Sequence, residues 1–427
     1  MKKWTLMVAA SAVWSAAGCG SFSPDCTTTI QPSDDPEANR QTITAALVEP
    51  SDGDVICLRE GTYRLSSQLT LNASGVANVE IRGESQDGTI LDFAGQTEGG
   101  NGILVDGIND FRASNFTIKN TAGDGIKVQN ANGVELVDLT VTWDGGPDTD
   151  NGAYGIYPVL AQNVLVEGNK VSHASDAGIY LGQSNTAIVR NNEAFANVAG
   201  LEIENTSNAD VHSNELYDNT GGLLVFDLPN LQVKDGSQNK IHDNTIRNNN
   251  RDNFAESGTI VSIVPKGTGI LLLATDRNDV HDNTIENHQS VGLAIISYGL
   301  VEAFQSNNAA ADEDYDPYSE ANYIHANLFA NNGEDPADIA LGLSGGNALA
   351  DMIIEGAVNP SLPDGTTLLD VRHCFSGNVR DGGDPAPFQH LGSDPDAHAA
   401  PTNCSDDWRD FCHYECNGEA VAAVSLQ

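Results

Sequence analysis

Ala177-Gly-Ile-Tyr-Leu-Gly-Gln-Ser184, Ala199-Gly-Leu-Glu-Ile-Glu-Asn-Thr206 and Gly221-Gly-Leu-Leu-Val-Phe-Asp-Leu-Pro229 repeat one phrase: Gly, apolar, variable, apolar. The phrase recurs at Gly102, Gly125, Gly155, Gly178, Gly200, Gly222, Gly269 and Gly292, with spacings of 23, 30, 23, 22, 22, 47 and 23 residues. A second phrase, apolar-x-x-Asn-x-apolar, follows each and lines up Asn169, Asn192, Asn214, Asn244, Asn283 and Asn327. This second column resolves the gap of 47 into one coil carrying insertions near 226–238 and 250–266. A third insertion spans about 299–321.

A unit of this size cannot bury its own apolar side chains. Stacked at the ~4.8 Å spacing of paired strands, successive units satisfy each other's backbone N–H and C=O groups. Alternating apolar residues then point into one continuous core. Asn at the turns is expected to adopt left-handed geometry and to bond the same Asn one coil away. Gly ahead of the strand is expected to permit a sharp corner. The chain therefore reads as an all-β, single-stranded parallel β-helix. Residues 36–48 read as a short amphipathic helix plugging the N-terminal end, since an open stack needs caps. Residues 19–100 would hold this cap and the first coils, 101–345 the regular coils, and 346–427 the C-terminal cap and tail.

The first eighteen residues read as a signal peptide: Lys2 and Lys3, an apolar stretch from Leu6 to Val13, then small residues before Cys19. Ala16-Ala17-Gly18-Cys19 resembles a lipobox, with Ala16 where Leu is usual, so Cys19 is the expected lipidation site and the membrane attachment. Plain secretion is the alternative. The expected location is the cell envelope: outer membrane, cell surface or periplasm. Six further cysteines, Cys26, Cys57, Cys374, Cys404, Cys412 and Cys416, are an even set in an exported chain and read as disulfides. Cys26 with Cys57 would tie the N-terminal cap, and the other four would staple the C-terminal cap. Twenty Lys and Arg against sixty Asp and Glu give a formal charge of −40, which argues against nucleic-acid binding. The same charge disfavours polyanionic glycans unless cations bridge them.

These phrases resemble the right-handed, pectin lyase-like β-helix superfamily of pectin lyases and polysaccharide epimerases, over about residues 40–345. More narrowly, they are similar to a family of bacterial parallel β-helix repeat lipoproteins. The resemblance implies the fold, and a polysaccharide as the class of ligand. Alginate epimerases carry Tyr-Gly-x-Asp-Pro-His on one coil. Here the frame is Tyr154-Gly155-Ile156-Tyr157-Pro158-Val159, so the Asp and the His are missing, and Asp176 stands one position before the place of another epimerase Asp. Val cannot replace an imidazole in proton transfer, so standard epimerase chemistry is not expected.

Stacking turns sequence positions into columns. The variable residue of the Gly phrase, with the residue two further on, places Lys127, Gln129, Tyr157, Tyr180, Glu202 and Glu204 on successive coils, pointing outward. Aromatic rings, carboxylates and a Lys suit a sugar. In an enzyme, a lyase or a glycoside hydrolase, Tyr180 or Tyr154 would be the proton donor or base, Glu202 its partner, and His173 a weaker candidate. Lys127, Gln129, Tyr157 and Glu204 would bind substrate. Asp144, Asp148 and Asp150, in the loop before Tyr154, are oxygen ligands suited to calcium. Two residues before the Asn column stand His212, His242, His281 and His325, a stack that could take Zn²⁺ or Cu²⁺. Two further readings stay open: a non-catalytic envelope scaffold that holds a partner protein on its insertions, with Ile260, Val261, Ile263 and Val264 as apolar contacts, and a metal-handling protein of the periplasm.

Overall fold

The computed structural model describes residues 25–426 apart from 74, 305–311, 344–345, 347, 358, 362–370 and 392–419. The signal segment, Cys19, Cys404, Cys412 and Cys416 lie outside the described residues.

The chain is a right-handed parallel β-helix. Its strands form two sheets in which every strand-to-strand pairing is parallel. Among the described residues one sheet has eleven strands, from Ser67–Leu71 to Phe388–His390, and its middle strands are the Gly phrases. The registers match the repeat: Ile179 pairs with Leu201, Leu201 with Leu223, Leu223 with Ile270 and Ile270 with Leu293. These residues point inward and are completely buried. The other sheet takes the remaining two strands of each coil, such as Asn185–Arg190 and Glu193–Phe195. Strand stacking continues past residue 345. Strands Met352–Ile354, Cys374–Ser376, Val379–Arg380 and Phe388–His390 add further rungs to both sheets.

Helix Pro36–Val48 closes the N-terminal end. Asp35 caps it by accepting the Glu37 N–H at 3.0 Å, and Pro36 opens its first turn. Ile43 and Leu47 seal the core beneath. A disulfide joins Cys26 and Cys57 across the first strand pair. Cys374 is also disulfide-bonded, with its partner outside the described residues.

The Asn column is a buried ladder. From Asn169 to Asn192, Asn214, Asn244, Asn283, Asn327 and Asn378, each side-chain N–H donates to the next Asn Oδ1 at 2.9–3.0 Å. The same Oδ1 accepts the backbone N–H of the previous rung, and Nδ2 also donates to a carbonyl, as Asn214 does to Val189 O. Sequence reasoning missed two more ladders. One runs Asn197, Asn219, Asn249, His288 and Asn332. The other runs Asn239, Asn278 and Asn322 and meets His373.

Two expectations about the turns are corrected. The left-handed residue is not the ladder Asn but the one before it: Asn191, Ser213, Asp243, Asp282 and Ala326 have φ between 52° and 57°. The phrase glycines are small for contact, not for turning. A Cβ on Gly200 would stand 2.7 Å from Gly222 O and 2.8 Å from Asn219 Nδ2.

Replacing Asn214 by Leu would strand the Asn192 donors and the Val189 carbonyl in the interior, at about 1–3 kcal/mol for each orphaned group. Asn214→Leu is therefore expected to lower the urea midpoint by the equivalent of about 3 kcal/mol or more. The exposed Asn191→Gly, at positive φ, should stay within about 0.5 kcal/mol of the parent.

Candidate active site

The outward face of the eleven-stranded sheet carries the candidate residues in the expected register. Lys127 pairs with Tyr157, Tyr180 with Glu202, and Glu202 with Leu224. Glu204 stands beside Gly182 and Phe226. Lys127 Nζ lies 4.4 Å above the Tyr157 ring. Tyr154, Tyr157 and Tyr180 form a ring cluster with centroids 4.5–4.9 Å apart. Gln129 lies at the N-terminal edge of this patch, next to Val159.

The patch is not the open surface that the column suggests. Tyr180 and Glu202 are 3% and 2% exposed, and Glu204 is 9% exposed. Tyr180 belongs to an apolar cluster that continues over Leu224, Phe226, Leu271 and Leu273, and Tyr154, Tyr157 and, from the 250–266 insertion, Phe254 and Ala255 pack against that cluster. Val261 and Val264 are buried in it. Val261 and Val264 thus roof the sheet, while Ile260 and Ile263, of the same expected contact set, are half-buried.

Beneath this roof sit buried carboxyl groups. Tyr180 donates its hydroxyl to Glu204 Oε1 at 2.5 Å. Gly182 makes the room for it, since a Cβ there would meet the Tyr180 ring at 2.2 Å. Glu202 lies between Glu204 and Asp176, and both perturb it. Glu202 Oε2 and Asp176 Oδ1 are buried without a hydrogen-bond partner. Burial first, then repulsion from Glu204, pushes the Asp176 carboxyl from 3.8 up to about 8. Burial, followed by Asp176 and Glu204, also holds Glu202 well above the carboxylate range. Burial raises Glu204 as well, opposed by the Tyr180 hydroxyl. Two buried acids at such range cannot both ionise cheaply, so the cluster retains protons at neutral pH.

Asp176 also lines a polar cavity of about 390 Å³, within the size range of ligand clefts. Asp124, Thr149, Ser175, Glu256 and Thr259 share its wall. Asp124 accepts the Tyr154 N–H at 3.2 Å. Burial raises its carboxyl, while that N–H and the charge of Lys127 draw it back down. Asp124 was not a candidate from the sequence, and Asp176 entered only as a misplaced epimerase position. The available signal was an acid immediately before or near the Gly of two phrases on either side of the Gly155 coil, Asp124-Gly125 and Asp176-Ala177-Gly178.

Burial lifts Tyr154 and Tyr180 well above their ordinary value and Tyr157 to about 12. These hydroxyls stay protonated, and that of Tyr180 acts as a hydrogen-bond donor. His173 is held by the Trp143 carbonyl at 2.8 Å from Nδ1, with Thr142 Oγ1 at 3.3 Å. In the loop before Tyr154, Asp144 takes Lys119 and Asn120, and Asp148 accepts the Asp150 N–H. Among the described residues Asp144, Asp148 and Asp150 are not gathered around one point. The four histidines do stack, with centroids 4.9–5.0 Å apart and planes within 18° of parallel.

Residues 101–235 match the family model for a right-handed beta helix region. No curated protein matches the sequence. Among solved structures, the chain resembles the A-module of the mannuronan C-5 epimerase AlgE4 of Azotobacter vinelandii (14% identity, TM-score 0.51, 84% of this chain and 95% of that one). It also resembles a cysteine-to-alanine mutant of DFA-IIIase from Arthrobacter chlorophenolicus A6, solved with DFA-III (12% identity, TM-score 0.51, 86% and 100%). At these identities the likeness is one of fold.

The folded chain holds the Asp176 proton up to about pH 8, whereas the unfolded chain releases it near 3.8. Its contribution to stability is complete below pH 3.8 and is lost as pH rises toward 8. Asp227 and Asp276, both raised to about 7, add slopes of the same sign. Asp176→Asn should therefore gain stability relative to the parent between pH 5 and pH 8, measured as the difference in urea midpoints at the two values.

Proposed function

We propose that this protein cleaves a glycosidic bond in a neutral polysaccharide or oligosaccharide, with Asp176 as general acid and Asp124 as its ionised partner. The observation that carries this reading is the pair of carboxyl groups on one polar cavity: burial raises both, Asp176 to about 8, but at Asp124 the Tyr154 N–H and the Lys127 charge oppose it. Asp176 keeps its proton at neutral pH because it is buried and the Glu204 charge sits behind it. Asp124 has a backbone N–H and a nearby Lys charge to favour the carboxylate. One can give a proton to a leaving oxygen while the other supports the opposite face of the sugar. Tyr157, partly exposed and covered by Lys127 Nζ, offers a ring on which a sugar can stack. A formal charge of −40 and the acids at the cavity favour a neutral glycan over a uronate.

The resemblance to proteins named for mannuronan epimerisation and for DFA-III supports a carbohydrate as ligand class. The signal segment and Cys19 support export and attachment to the cell envelope. This reading gives the tyrosines a different part from the proton transfer expected of them: Tyr180 holds the charge on Glu204 and so keeps Asp176 protonated.

The test is turnover of neutral and uronate glycans by the mature chain, followed by reducing ends. Asp176→Asn and Asp124→Asn are each expected to lose about 10²–10⁴-fold in kcat. Glu204→Gln removes a negative charge behind Asp176, so the basic limb of the pH–rate profile should move to lower pH. Full turnover in Asp176→Asn, or binding of no neutral glycan at all, would refute the proposal.

A further inference from the structure

The histidine column lies on the other sheet, away from the carboxyl cavity. Its four rings are not equivalent. His242 is occupied at both nitrogens, Nε2 by Asp210 at 2.8 Å and Nδ1 by Asp243 at 2.7 Å. His212 Nδ1 faces Ser213 Oγ at 3.1 Å. His281 uses Nδ1 on Asp282 Oδ2 at 2.8 Å, which leaves Nε2 as its free donor atom. The reason lies in the neighbouring column, which runs Asp210, Lys240, Asp279, Tyr323. Each Asp reaches the His one coil further on: Asp210 reaches His242 and Asp279 reaches His325. Lys240 stands where the partner of His281 would be, and a cation offers that ring no acceptor.

Asp279, His281 and His325 each present one ligand atom within 4.8 Å of the other two. Asp279 Oδ1 and His325 Nε2 are 2.9 Å apart. Two donors bound to one Zn²⁺ at ~2.0 Å and a tetrahedral angle stand about 3.3 Å apart, so this pair is nearly at ligand spacing. The His281 donor closes the rest by a side-chain rotation. The supports of such a site are also present. Asp282 holds His281 in the tautomer that frees Nε2, and the Val421 N–H holds Asp279 Oδ2 at 3.0 Å. Tyr323 stacks on His325 at 4.0 Å and limits its rotation.

From this geometry we infer a binding site for a divalent transition metal of the Zn²⁺ class, formed by Asp279, His281 and His325 at the C-terminal end of the column. Two imidazoles and one carboxylate are the donor set of an open three-ligand zinc site, and they select against Ca²⁺, which takes oxygen ligands. His212 and His242 are not ligands, so the site is narrower than the four-ring stack.

The full mature chain, stripped with chelator, is titrated with Zn²⁺ by calorimetry at pH 7.5. Co²⁺ is titrated in parallel to read the visible d–d bands of a tetrahedral site. The expected result is one saturable equivalent, with affinity reduced at least 50-fold in His281→Phe and in Asp279→Asn. The Phe ring keeps the stack between His242 and His325 and cannot ligate, so the loss reports ligation, not folding. His212→Ala should bind within twofold of the parent. Absence of a saturable equivalent, or unchanged affinity in His281→Phe, would overturn the site.

Discussion

The structure depends on a buried amide. Every coil must bend at its corners, and each bend takes backbone N–H and C=O groups out of the strand ladders while keeping them from water. Asn answers this because one side chain is donor and acceptor together. At Asn214, Oδ1 takes the N–H of Asn192 and Nδ2 covers Val189 O while passing the bond on to Asn244. No apolar residue could fill the corner without orphaning those groups. The core residues Ile179, Leu201 and Leu223 supply the hydrophobic drive, but the ladders decide where the chain turns and therefore where each side chain on the outer faces lands.

With rungs fixed, chemistry is assembled by register. Glu202 and Glu204 come from one strand, Tyr180 from the rung before, and Asp176 from the corner of that rung. None of these residues would be unusual on an open surface. The insertion 250–266 contributes to that change, because Val261 and Val264 are buried in the same apolar cluster as Tyr180, with Phe254 and Ala255 packed against it. Desolvation is the largest cause of every raised carboxyl in the cluster. The same insertion sends Glu256 and Thr259 to the polar cavity and Val261 and Val264 to the apolar sheet face. One short segment thus roofs the acids and walls the cleft.

Most of the fold was legible because a repeat states its rule many times. The Gly phrase, the Asn column, the cap helix at 36–48 and the Cys26–Cys57 bridge could all be read from spacing and chemistry. The ladder through Asn197, Asn219, Asn249 and Asn332 was hidden because its fourth rung is His288, which broke the run of identical letters. The outward columns were correct in register, yet their exposure was misjudged. Alternation tells which face of a strand a residue takes, but not what a distant insertion will lay over that face. Asp176 and Asp124 were underweighted for a related reason: they sit at corners, outside the strand columns, and only the folded chain brings them to one cavity.

His288 also gives the ladder a property that amides alone could not. An Asn rung is indifferent to acid, whereas this imidazole, fully buried between Asn249 and Asn332, resists protonation until about pH 4. Its unfolded counterpart takes a proton near 6.5, so acidification through that interval favours unfolding. His373, at the end of the Asn239–Asn322 ladder, is lowered by burial to about 4 in the same way, so two buried imidazoles among amide rungs make the stack sensitive to acid.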